Sequence, residues 1–281
     1  MKLVMASPTG LCFGVRRAIE QLERALAEYG TVYSLGSPIH NPQEVERLEK
    51  LGLRVVDDPD EVPPGSVAFV RAHGVAPKEL SALDERARVV DGTCPFVRNA
   101  QKRAESLSRE GYTVLILGDS NHPEVRGILG YIEGESRVIA SVAELDENMR
   151  AERLGVLSQT TQREESLSAV IAKLVLMTGE LKVYNTICRA TIERQESIRQ
   201  LAKRVDGIIV IGGRNSANTR KLVEIADSLD VPTQWIERSD ELDRRWLEGK
   251  ASIGVAGGGS TPDWLINELK ETTEAIGPRR L

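Results

Sequence analysis

Apolar and polar positions alternate between two rhythms along this chain. Short runs rich in Val, Ile and Leu give way to Gly-, Pro-, Ser- or Asn-rich turns, and each turn opens a segment with helical spacing. KLVMAS leads through SPTGLCFG to VRRAIEQLERALAEYG, and TVYSLG leads through SPIHNP to QEVERLEKLG. SVAFVRA, RVVDG, TVLILGDS, GVLSQTTQ, KVYNTICRAT, GIIVIGG and ASIGVAGGG begin further units of the same kind. Helical faces repeat at three and four residues, as in Ile19, Leu22, Leu26 and in Ile198, Leu201, Val205. Strands alternating with helices at this density predict βαβ units and an α/β fold with mainly parallel sheets.

Cys12, Cys94 and Cys188 divide the pattern into three comparable stretches, each cysteine lying where a strand run ends and a helical run begins. The expectation is three similar small α/β domains: residues 1–95, with Cys12 and Cys94 at its ends, then 96–190 and 191–281. Residues 1–12 could instead pack with the third.

Composition narrows the function. A net charge of -5 speaks against a broad nucleic-acid surface, and 4% aromatic residues speak against base-stacking platforms. No apolar run approaches the roughly 20 residues that span a bilayer, and the first residues do not read as a secretory signal, so a cytoplasmic protein is expected. An odd number of cysteines in such a chain favours metal binding or catalysis over a disulfide framework. The bland alternative is three small buried hydrophobes.

Open parallel sheets bind ligands at the carboxyl ends of their strands. The reactive residues collect in the loops expected there. His40 lies in SPIHNP, His73 in RAHGV and His122 in NHPEV, and hydroxyl- and amide-rich clusters occupy 158–162 (SQTTQ), 215–219 (NSANT) and 257–262 (GGGSTP). The cysteines form no CxxC pair, which speaks against zinc ribbons and thioredoxin chemistry. Three isolated thiolates suit an iron–sulfur cluster with one open iron, although a zinc site with three cysteine ligands would look the same.

Singly, each histidine could be a turn residue and each hydroxyl cluster a helix N-cap. As a set, the histidines read as cationic donors to an anionic ligand, and the two later clusters as phosphate-binding helix starts. No P-loop or GxGxxG fingerprint follows a strand, which disfavours nucleotide binding. Glu124, two residues after His122, is either a first-turn carboxylate favoured by the helix dipole or a proton donor.

In this order, GLCFGVRRAI, SPIHNPQEV, RAHGV, DGTCP, HPEV, SQTT, NTICRATIERQ, NSANT and GGGSTP make the chain resemble, from end to end, the 4-hydroxy-3-methylbut-2-enyl diphosphate reductase (LytB) family. The resemblance implies a trefoil of three α/β domains around a 4Fe-4S cluster held by Cys12, Cys94 and Cys188, with one open iron. It implies substrate contacts from His40, His73, His122, Thr160, Asn215, Ser216, Asn218 and Ser260. Catalysis falls to Glu124 as proton donor, with His122 and Thr160. The implied reaction is two-electron reductive dehydroxylation of an allylic diphosphate to isopentenyl and dimethylallyl diphosphate, the last step of the methylerythritol phosphate route. Electrons would come from an external carrier such as ferredoxin or flavodoxin.

The chain departs from the family's commonest pattern at Ala217, where a second serine is frequent, at Gly257, and around HPEV at Asn121 and Arg126. Two other readings remain open: a redox-neutral iron–sulfur hydro-lyase, and a non-catalytic cluster sensor of phosphorylated metabolites.

Overall fold

The β-branched runs pair in parallel, and the pairing repeats one pattern three times. A computed structural model describes residues 1–146 and 149–276. Residues 147–148 and 277–281 of the expected second and third domains lie outside the described residues.

The chain opens with β1 (Lys2–Met5) and α1 (Phe13–Tyr29). β2 (Val32–Leu35), α2 (Pro42–Lys50), β3 (Leu53–Val56), β4 (Val67–Val70), α3 (Pro77–Arg86) and β5 (Arg88–Asp91) then form a four-stranded sheet of order β3-β2-β4-β5 with its helices. α4 (Pro95–Arg109) leads into β6 (Thr113–Leu117), α5 (Pro123–Leu129), β7 (Ser136–Ile139), β8 (Arg153–Ser158), α6 (Glu164–Leu174) and β9 (Glu180–Val183), with sheet order β7-β6-β8-β9. α7 (Arg189–Ala202) leads into β10 (Ile208–Ile211), α8 (Ala217–Asp227), β11 (Thr233–Ile236), β12 (Ser252–Gly257) and α9 (Asp263–Ile276). Here the fourth strand is β1, in the order β1-β12-β10-β11. Every strand pair in the three sheets is parallel.

In the first two sheets the helices that follow the two central strands lead to opposite edges; in the third, α8 leads from β10 to the edge strand β11, while the edge beside β12 is filled by β1 from the start of the chain. The adjoining carboxyl ends of the two central strands form the topological switch point at which open α/β sheets bind ligands. The loops after β2, β6 and β10 are equivalent in this repeat, and so are those after β4, β8 and β12. The loops after the edge strands β5, β9 and β1 carry Cys94, Cys188 and Cys12.

The chain groups into two compact units. One comprises residues 1–15, 40–44 and the described chain from 189 onward, with the β1-β12-β10-β11 sheet. Both faces of this sheet are covered: Ile209 and Ile211 of β10 enter one apolar cluster with Leu265 and Leu269 of α9, while Ile208 and Val210 enter another with Ile198, Leu201 and Leu222. That alternation is the period of two expected of a strand buried on both sides.

The other unit comprises residues 16–39 and 45–188, with the remaining two sheets. Val114 and Ile116 of β6 pack with Ala100, Ala104 and Leu107 of α4. The absence of a side chain at Gly155 admits Leu107, whose atoms would lie 2.7 Å from a Cβ there.

Candidate functional site

Proline determines where several reactive side chains fall. Pro42, Pro77, Pro95 and Pro123 are the first residues of α2, α3, α4 and α5. Proline suits this position because the first helical N–H has no intrahelical partner, and it forces the preceding residue out of the helical region. Cys94 and His122 thereby become the N-cap residues of α4 and α5.

In the larger unit, His122 Nδ1 accepts the backbone N–H of Glu124 at 3.1 Å. With Nδ1 an acceptor, the ring proton resides on Nε2, which is the nitrogen able to donate. The His73 ring stands edge-on to that of His122, with centroids 5.4 Å apart. Gly74, next to His73, has φ +69°, and a Cβ there would lie 2.5 Å from the Gln101 amide nitrogen, so RAHGV needs its glycine.

Glu124 is 2% exposed. Its Oε1 accepts the Thr160 N–H at 2.6 Å and its Oε2 accepts the Thr160 hydroxyl at 2.9 Å. Burial pushes the carboxyl up to about 7, against the lowering effect of the two Thr160 hydrogen bonds. A carboxyl that titrates there can give or take a proton near neutrality. The Thr160 carbonyl in turn accepts the Cys188 N–H at 3.0 Å. Thr186 fastens the two loops by receiving the Ser158 N–H at 2.9 Å.

In the smaller unit, Ser216 caps α8, accepting the Thr219 N–H at 3.2 Å. The Ser260 hydroxyl lies 3.2 Å from both Ser216 Oγ and the His40 carbonyl. Asn218 is buried, and its Oδ1 has no protein hydrogen-bond partner. An orphaned buried acceptor costs about 1–3 kcal/mol unless something else satisfies it, so the position suits a ligand or an ordered water. Asn215, by contrast, is exposed.

The cysteines share one geometry. Cys12 N–H donates to the Gly259 carbonyl at 2.9 Å, Cys94 N–H to Ala72 at 3.0 Å and Cys188 N–H to Thr160 at 3.0 Å. Each acceptor lies in the loop after β12, β4 or β8 of the cysteine's own sheet, so one motif presents all three thiols. All three are half-buried and none is in a disulfide. Gly259 lies between Cys12 and Asn218: a Cβ there would be in ordinary contact with Cys12 Sγ at 3.5 Å and tight against the Asn218 amide nitrogen at 3.3 Å.

Several supporting residues escaped the sequence reading. Gln159 Oε1 receives the Asp119 N–H at 3.1 Å, holding the loop that carries His122. Asn41 caps α2 through the Glu44 N–H at 2.9 Å, and buried Glu44 receives the Trp264 indole N–H at 2.8 Å. Gln159, Thr186 and Asn41 lie inside the quoted motifs; Trp264 gave no signal of its own.

A family model described as LytB protein matches residues 3–274. The chain belongs to the LytB family. Among the relatives of this LytB-family chain is the 4-hydroxy-3-methylbut-2-enyl diphosphate reductase of Geobacter sulfurreducens, 44% identical over 100% of this chain and 99% of the relative. The enzyme of the same name from Aquifex aeolicus is 42% identical over 98% of this chain and 96% of its own length. A solved structure of an (E)-4-hydroxy-3-methyl-but-2-enyl diphosphate reductase, described as the terminal enzyme of the non-mevalonate pathway, matches with a TM-score of 0.73 and 41% identity, covering 98% of this chain and 100% of that one. The E-1-hydroxy-2-methyl-but-2-enyl-4-diphosphate reductase from Plasmodium falciparum matches with a TM-score of 0.88 at 26% identity, covering 98% of this chain and 87% of that one.

LytB membership implies an iron–sulfur protein. The donor set fits: three half-buried cysteines outside any disulfide, each at the start of a helix, where the macrodipole favours thiolate. Among the described residues, no helix is long and apolar enough to cross a membrane.

Proposed function

We propose that the protein is a 4-hydroxy-3-methylbut-2-enyl diphosphate reductase, an iron–sulfur oxidoreductase that closes the methylerythritol phosphate route to isoprenoids. The observation that carries this reading is the buried Glu124, doubly held by Thr160, which is itself bonded to the backbone of Cys188. End-to-end similarity to reductases of that name supports it.

Cys12, Cys94 and Cys188 hold a 4Fe-4S cluster and leave one iron without a protein ligand. When bound, the cluster supplies electrons and a Lewis-acidic iron to the carbon–oxygen bond that breaks. Overall, two electrons and two protons convert the allylic alcohol to an alkene and water, and the second proton enters at either of two carbons. Ser216, Asn218, Ser260, Asn215 and His40 bind the diphosphate, whose remote binding energy orients the reacting carbon. His73 and His122 line the same ligand, His122 through its Nε2–H.

Glu124, protonated up to about pH 7, delivers a proton to the departing oxygen. The Thr160 hydroxyl, 2.9 Å from the carboxyl, orients it and relays the proton. Electrons come from ferredoxin or flavodoxin in the cytoplasm. Three domains with borders near residues 95 and 190 carry this site, and the pairing of β1 with β12 supports placing residues 1–12 with the third.

The test is turnover of the allylic diphosphate by anaerobically purified protein with a reduced donor. Isopentenyl and dimethylallyl diphosphate are expected; failure to form either with a loaded cluster would refute the proposal.

A further inference from the structure

We propose that the exposed face of α4 beside Cys94 is the docking surface for an acidic one-electron carrier protein, an inference that rests on the reductase reading. The chain has three phenylalanines. Phe69 is fully buried, whereas Phe13 and Phe96 are 66% and 40% exposed. Phe13 directly follows Cys12, and Phe96 lies two residues after Cys94.

Charge adds a second, independent sign. Helix N-termini favour acidic residues, and α2, α3, α5, α6 and α9 carry them in their first turns. The three helices that follow cysteines, α1, α4 and α7, carry none there, and neither does α8. The acids flanking or within α4 are each offset by a cation: Asp91 by Arg98, Glu105 by Arg109 and Glu110 by Lys182. Among the described residues, exposed Lys102 and Arg103 make no ion pair. Arg103 instead lies over the Tyr184 ring at 4.6 Å.

Phe96 and Arg103 are seven residues apart, two turns along one helical stripe, and Lys102 flanks it. In a chain of net charge -5, this is a local positive, aromatic surface ending at a cysteine. Exposed aromatics serve as interface anchors, and unpaired surface cations steer oppositely charged partners. The reaction consumes two electrons, and no flavin or nicotinamide fingerprint occurs in the sequence. Two successive dockings, each delivering one electron from the reduced carrier, therefore balance one dehydroxylation.

Two electron sources separate the possibilities. Wild-type holoprotein, Lys102→Glu/Arg103→Glu and Phe96→Ala are compared with reduced methyl viologen and with reduced ferredoxin. Oxidised ferredoxin is also titrated against each holoprotein for Kd. Viologen-driven turnover should be unchanged. With ferredoxin, the double variant should show about a tenfold rise in KM and Kd and a weaker dependence on salt. Phe96→Ala should raise both while keeping the salt dependence. Should the double variant lose viologen turnover, Lys102→Glu alone is read, since Lys102 makes no ion pair to break. Unchanged ferredoxin KM and Kd beside intact viologen turnover would overturn the docking surface alone. Wild-type protein inactive with both donors would overturn the reductase reading beneath it.

Discussion

Glu124 rests both of its carboxylate oxygens on one residue, Thr160, at 2.6 Å from the backbone N–H and 2.9 Å from the hydroxyl. The same threonine holds the Cys188 N–H through its carbonyl at 3.0 Å. Acid and cysteine are thus fixed through a single residue in the loop after β8.

Replacing Glu124 by Gln keeps this geometry, because the carboxamide oxygen can accept the Thr160 N–H and its NH2 can donate to the hydroxyl. The variant is expected to bind iron and substrate normally and to lose about a hundredfold to ten-thousandfold in kcat, the usual worth of a positioned general acid. Steady-state kinetics beside iron analysis decide it. Wild-type kcat would remove Glu124 from the mechanism.

The raised carboxyl also makes stability depend on pH. Between its ordinary value of 4.5 and about 7, Glu124 is protonated in the folded chain and ionised in the unfolded one. Its contribution is fully present below about pH 4.5 and declines as pH rises to about 7, by up to roughly 3 kcal/mol. Urea unfolding of wild type and Glu124→Gln should therefore diverge across this window in favour of the variant and run parallel above it. Curves parallel throughout would mean that the carboxyl is not shifted.

Thr160→Val removes the hydroxyl donor that lowers the Glu124 carboxyl and leaves the backbone donor in place. The alkaline fall of kcat should move to higher pH, with a lower plateau because the relay is gone, while Thr160→Ser should restore both. A pH–rate profile measures this, and an unmoved limb in the valine variant would contradict the assignment.

Ser260 joins Ser216 and the His40 carbonyl, each at 3.2 Å. Ser260→Ala should raise KM for the diphosphate several-fold with a smaller change in kcat, as expected of a residue proposed to bind the part of the substrate remote from the chemistry. Ser216→Ala should add a stability loss of about 1 kcal/mol, because that hydroxyl also caps α8. Equal kcat and KM behaviour in Ser260→Ala and wild type would exclude it from the site.

The central strands were legible in the sequence because both of their faces are buried, which leaves near-continuous apolar runs such as IIVI and VAFV. β3, β7 and β11 were not. All three are edge strands, and LRVV, SRVI and TQWI mix polar with apolar residues because much of their surface meets solvent. Cys94 and His122 could be placed at helix starts because a proline follows each.

Pattern suggested three similar domains but left open which of them residues 1–12 join. β1 serves as fourth strand to the last sheet, and only that long-range pairing makes Cys12 the counterpart of Cys94 and Cys188. Nor could spacing show that His122 spends its Nδ1 on a helix cap, since that depends on backbone direction at one residue.

The most direct test is to count electrons consumed per molecule of diphosphate converted by anaerobically purified protein of known iron and sulfide content. Two electrons and one water per product are expected, from a protein holding about four irons per chain. Turnover without any reductant would indicate a redox-neutral hydro-lyase, and a colourless, zinc-only protein would contradict the role given to Cys12, Cys94 and Cys188.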